Sequence, residues 1–164
     1  MKRILSILLV CIFVFSSDVL VQANQEFQDS EYIVEEVTDD EIEPVDRENL
    51  PCPYTLYIMG VHTTIRDKED GKIYMGVQVY CTETMQEIKT IFYLQQQTSS
   101  GWSNVATGTI TSEDVNHHVK VMSVLYAPSG NYRVKTVNQV KSYNGYTESI
   151  TGFSPEMYYY NPNL

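Results

Sequence analysis

A chain of 164 residues with 21 acids against 11 bases carries a net charge of −10 and is long enough for one packed domain. That balance makes nucleic acid a poor partner, because affinity for phosphate depends on clustered Lys and Arg. The excess is local: residues 24–51 hold eleven acids and one base, and the remainder is nearly neutral, so a polyanionic leader precedes a neutral body.

Residues 1–23 read as a signal peptide. Met1-Lys2-Arg3 is a positive start, Ile4 to Phe15 is an apolar run broken only by Ser6, and Val21-Gln22-Ala23 supplies the small residues before a cleavage point at Asn24. The apolar run is too short to span a bilayer and no stop-transfer segment follows. Secretion without stable membrane insertion is therefore expected, and Cys11 should leave with the signal. No wall-sorting motif lies near Leu164, so covalent anchoring is not expected.

Residues 24–51 have dense like charge and few large apolar side chains, which favours disorder. Ile33, Val34, Val37 and Ile42 would line one side of a transient helix if one formed. Three uses fit such a leader: a solubilising linker, a weak cation-binding tail, or a pro-segment masking a site and removed near Pro51.

Cys52 and Cys81 remain after cleavage, and an even count in an exported chain favours a disulfide between them. The bridge would close a loop of about 30 residues, worth roughly 3–4 kcal/mol in the chain-entropy model. Register opposes it. If Ile65 faces Ile73 across the intervening turn, Cys52 faces Gln86, roughly 17 Å from Cys81 along the strand. Pro51-Cys52-Pro53 would have to leave the strand and fold back.

From Tyr54 onward, β-branched and aromatic residues predominate without a helical period. Residues 54–65 form a first strand, turned by Arg66-Asp67-Lys68-Glu69-Asp70-Gly71 with its Asp-Gly signal. Then Ile73, Met75, Val77, Val79 and Cys81 alternate with Tyr74, Gly76, Gln78, Tyr80 and Thr82, the first set facing the core. Further strands are expected at 88–97, 102–111, 117–126, 131–141 and 146–152, with Phe92, Leu94, Val119, Val121, Leu125 and Val134 in the interior. Seven short strands at this spacing predict an all-β, antiparallel, immunoglobulin-like sandwich over 52–157, with a closed barrel as the alternative and 158–164 as a Tyr-rich tail.

Cys81-Thr82, Phe92-Tyr93-Leu94-Gln95, Gly101-Trp102-Ser103-Asn104-Val105, Gly130-Asn131-Tyr132-Arg133-Val134-Lys135, Tyr143-Asn144-Gly145 and Glu148-Ser149 follow one another in order. The order resembles that of a group of small uncharacterised secreted β-sandwich proteins of Gram-positive bacteria. The resemblance covers about residues 73–155 and implies a fold and an exported location, but no chemistry. Tyr132, opening a strand after a glycine turn, is placed like the tyrosine that ties down a loop in sandwich domains.

Catalytic and metal signals are thin. His117 and His118 are adjacent, so on a strand they point to opposite faces, and nothing requires His62 to join them. Asp67 to Gly71 lacks the offsets of a calcium loop. Glu83, Glu87 and Glu148 have no spacing that makes them a hydrolytic pair, and no nucleophile elbow, phosphate loop or zinc-protease motif occurs. The chain is read as non-enzymatic, with no cofactor and no metal. Its tyrosines are the positive sign, since Tyr74, Tyr80, Tyr93, Tyr143, Tyr146 and Tyr158 to Tyr160 fall on the outward face or in loops. Two functions follow. One is a module that binds a protein or cell-surface partner. The other is a glycan-binding module using Tyr143, Tyr146 and Trp102, although a single Trp in a sandwich also fits the core.

Overall fold

The computed structural model describes residues 34–37 and 55–161. They form seven strands: β1 (Val34–Val37), β2 (Ile58–Asp67), β3 (Lys72–Thr98), β4 (Gly101–Leu125), β5 (Gly130–Lys141), β6 (Thr147–Phe153) and β7 (Met157–Tyr159). All belong to one open antiparallel sheet in the order β1-β4-β3-β5-β6, with β2 also on β3 and β7 on β5. The described residues contain no helix.

The class is as expected and the division into strands is not. The segments 73–81 and 88–97 are two halves of the 27-residue β3, and 102–111 and 117–126 are two halves of the 25-residue β4. Neither junction holds a Gly or Pro to reverse the chain, so each strand bends instead of ending. Between the pairs Tyr80↔His117 and Met85↔Val115 the register breaks, with four β3 residues set against one of β4. Asp114 takes a φ of 56° there, a left-handed conformation that Asp adopts more readily than most residues.

This bend doubles the sheet over its own core. A Cβ added to Gly108 would lie 2.4 Å from the side chain of Met122, yet fourteen straight residues would separate the two by about 46 Å. The halves of β4 therefore face each other. At the other side β2 lies against β5 and β6: Thr63 Oγ1 is 2.8 Å from Thr136 Oγ1, and a Cβ on Gly152 would fall 2.4 Å from Thr63 Oγ1. The space between is filled by Ile73, Met75, Val77 and Val79 from one half, and Ile88, Phe92, Leu94, Val134 and Val140 from the other.

Four local expectations change. The β2–β3 turn is centred one residue later than expected, so Ile65 pairs with Met75 rather than Ile73. Asx turns from Asp67 to Glu69 N–H and from Asp70 to Lys72 N–H set that loop. Val34–Val37, expected in a disordered leader or a transient helix, is a strand on Val121–Val124, because the uncovered edge of β4 offers backbone partners a helix would forgo. The rest of the leader lies outside the described residues. Tyr158 to Tyr160 are not a simple tail: Tyr159 is buried edge-on to Tyr132 at 6.3 Å, and Asn161 is held by Ser129 Oγ and the carbonyl of Ala127. Tyr80, expected outside, is buried beside His117. Tyr132 does tie down its loop, donating from its hydroxyl to the carbonyl of Pro128 at 2.7 Å.

Candidate functional site

The outer face of the half-sheet β4–β3–β5–β6 holds the most organised exposed chemistry among the described residues. Alternation sets it: Thr90, Phe92 and Leu94 turn inward, leaving Ile91, Tyr93 and Gln97 outward, with Gln95 at an outward position but buried. An irregularity between Leu94 and Gln95 leaves Val105 unpaired on β4, which puts Asn104 and Trp102 on the same outer face.

Cross-strand register then builds rows. Tyr93 lies between Thr107 and Lys135, and Lys135 lies beside Phe153. The next row places Gln95 between Asn104 and Arg133, and Trp102 stands opposite Gln97. Side chains lock these rows together. Arg133 Nε donates to Gln95 Oε1 at 2.8 Å, Gln95 Nε2 donates to Asn104 Oδ1 at 2.8 Å, and Asn131 Nδ2 donates to Gln97 Oε1 at 3.0 Å. The Arg133 guanidinium lies over two rings, 4.4 Å from Trp102 and 4.9 Å from Phe153, and Lys135 Nζ lies 5.5 Å from Tyr93. Such contacts contribute about 0.5–1 kcal/mol each at exposed positions.

Trp102 is thus half-buried under an arginine, neither in the core nor a bare ring. Phe153 is 52% exposed. Lys89 and Lys141 continue the outward positions of Tyr93 and Lys135 down the same face, so the face carries four cations.

Tyr143 and Tyr146 are elsewhere. They flank the β5–β6 turn, next to the Lys141↔Glu87 pair, whereas Trp102 pairs with Gln97. Ten residues of β3 separate those levels, about 33 Å, so the three aromatics do not form one site. Both tyrosines are exposed and both already have partners. Tyr146 packs on Tyr57 at 5.5 Å, and the Tyr143 hydroxyl donates to Asp114, which raises its pKa. Beside them the Glu148 carboxylate accepts from three successive backbone N–H groups, of Leu56, Tyr57 and Ile58, at 2.7, 2.8 and 3.2 Å.

His117 is exposed and His118 buried, on opposite faces as expected. Burial, with Lys120 and His117 nearby, holds His118 down at about 4, and its Nδ1 lies 3.0 Å from Ser112 Oγ. His62 is lowered by burial and by Arg66. No cluster of three metal-ligating groups occurs among the described residues. Cys81 is a buried free thiol, pushed up to about 12 by burial and the Glu148 charge. Its neighbour on β2 is Ile58, and the proposed bridge to Cys52 falls outside the described residues.

Sequence reading named Trp102 but missed its partners Arg133, Phe153, Gln95 and Asn104. Their one available signal was parity: with the strands aligned, all fall on outward positions. No protein-family model matches the chain, and no curated protein matches it.

Proposed function

We propose that this is an exported, non-enzymatic interaction module that binds an acidic protein or cell-surface partner on the outer face of β4–β3–β5–β6. The observation that carries the reading is the Arg133 guanidinium clamped between Trp102 and Phe153. Arg and Trp are the residue types that dominate binding energy at protein interfaces. Here they are pre-ordered, which lowers the entropy lost on association. Arg133 gives its Nε to Gln95, and its two terminal nitrogens carry four further N–H donors suited to a carboxylate. Lys135, two residues along β5, adds positive charge beside it.

Export rests on the signal-like residues 1–23, and the bacterial family on the ordered motifs from Cys81 to Ser149. Those motifs include Gln95, Trp102 and Arg133 of the cluster. An immunoglobulin-like sandwich is supported by the two facing halves, although β3 and β4 run continuously through both. A glycan site using Tyr143, Tyr146 and Trp102 together has little support, given their separation and the guanidinium already on Trp102.

The test is sedimentation of the purified protein with bacterial cell envelopes, before and after protease treatment, and with isolated wall polysaccharide. Saturable binding to untreated envelopes is expected, lost after protease and weakened at least about tenfold by Arg133→Ala or Phe153→Ala. Binding to polysaccharide that survives protease, or binding indifferent to both substitutions, would overturn the proposal.

A further inference from the structure

We infer that β1 is an exchangeable strand, and that Val34–Val37 of one copy adds to β4 of a second copy, reciprocally, to close a two-fold pair. The inference is independent of the proposed binding face, since β1 lies on the half of β4 remote from it.

The acceptor is visible. β1 pairs antiparallel with Val121–Val124, and β4 is its only strand partner among the described residues. Its side chains divide between two faces. Val34 packs against the core, where its Cγ1 would sit 3.1 Å from a Cβ on Gly108, so it caps the seam between the two halves of the bent β4. Glu35 and Glu36 point to opposite faces, and each meets a lysine of the acceptor: Glu35 lies 3.5 Å from Lys72 and Glu36 3.4 Å from Lys120. The sequence Val-Glu-Glu-Val thus matches the acceptor in backbone pairing, apolar fit and charge together.

These contacts require nothing from the chain that links β1 to its own body. Seventeen residues, 38–54, separate Val37 from Thr55, a length that reaches about 55–60 Å extended. Exchange therefore reproduces the same contacts in a second copy without any new interface, the usual low-cost route to a dimer. Each chain supplies one donor and one acceptor, so reciprocal exchange closes at two copies.

Charge reversal tests this on the full chain, because all four side chains lie on the partly exposed rim and need not fold the core. Glu35→Lys/Glu36→Lys reverses the donor, and Lys72→Glu/Lys120→Glu reverses the acceptor. In sedimentation velocity the unsubstituted protein should populate a two-chain species as concentration rises. Each reversed variant alone should pair about as readily as the unsubstituted chain, because the reversal meets the same repulsion in the single chain and in the pair. An equimolar mixture of the two should form the two-chain species at about tenfold lower concentration than either variant alone, since only there does each donor meet an acceptor of opposite charge. Two results would overturn the inference: a single-chain mass up to about a millimolar, where a tethered strand competes, or a mixture that pairs no more readily than either variant alone.

Discussion

The two ends of the outer half-sheet each display aromatic side chains, and they use them differently. At the Tyr143–Tyr146 turn the polar and aromatic groups make their contacts with the fold itself. Tyr146 packs on Tyr57, Asn144 Nδ2 donates to the Tyr57 hydroxyl at 3.1 Å, and Glu148 gathers three backbone N–H groups where β2 begins. At the Trp102 end the hydrogen bonds run sideways along the surface, linking Asn104, Gln95 and Arg133, and hold a cation over two rings, of which Phe153 stays exposed. Exposure alone therefore does not mark a binding site. The difference lies in whether the contacts fasten the chain to itself or present a fixed surface outward.

If the turn end is a fastening, its removal should cost stability. Glu148→Ala strips three charge-assisted hydrogen bonds and leaves the start of β2 unpaired, with an expected loss of about 3 kcal/mol by urea unfolding. A loss well under 1 kcal/mol would break the comparison. The neighbouring bend supplies the next effect. His118 is held down near 4 in the fold against 6.5 unfolded, so below pH 6.5 the unfolded chain takes up a proton that the folded one refuses. Stability should thus fall as pH drops from 6.5 towards 4, by about 2 kcal/mol at pH 5. The part of that slope due to this residue should vanish in His118→Gln.

How much of this could be read from the chain depends on range. The β class, the inward set Ile73, Met75, Val77 and Val79, and the tie from Tyr132 to its loop follow from alternation and turn residues, which act over a few positions. The continuity of β3 and β4 does not, because a bend and a reversal use similar polar residues; only the partner strand decides, as Val115 does for Met85. Polar residues on inward positions were equally silent. Thr90, Thr136 and Asn138 interrupt the apolar pattern, yet they are buried in one chain of hydrogen bonds that ends on Thr63 of β2. The Trp102 cluster was hidden for the same reason, since its members lie on four strands and a one-residue bulge sets their common face.

The surface end should lose much less stability than the turn end. Arg133→Lys keeps the charge but loses the planar fork over the two rings and the bond from Nε to Gln95, at a cost of about 1 kcal/mol in urea unfolding. Near-ultraviolet circular dichroism should change as Trp102 loses its neighbour, and a loss as large as that of Glu148→Ala would recast the cluster as a fastening too.

The smallest effect sharpens the contrast most. The Tyr143 hydroxyl donates to Asp114 at a fully solvated turn, where water replaces a lost partner at little cost. Tyr143→Phe should leave the unfolding midpoint unmoved at pH 7. The signature of that hydrogen bond is in titration, because a donor to a carboxylate holds its proton beyond the ordinary tyrosine range. The raised pKa favours the folded state below pH 10, and that contribution disappears as pH rises through the folded value. Ultraviolet difference titration should therefore lose one late-ionising tyrosine in the variant while Tyr74, held up to about 12 by Asp70, still ionises late. A midpoint that falls at pH 7 would show instead that Tyr143 fastens the β5–β6 turn to the bend in β4.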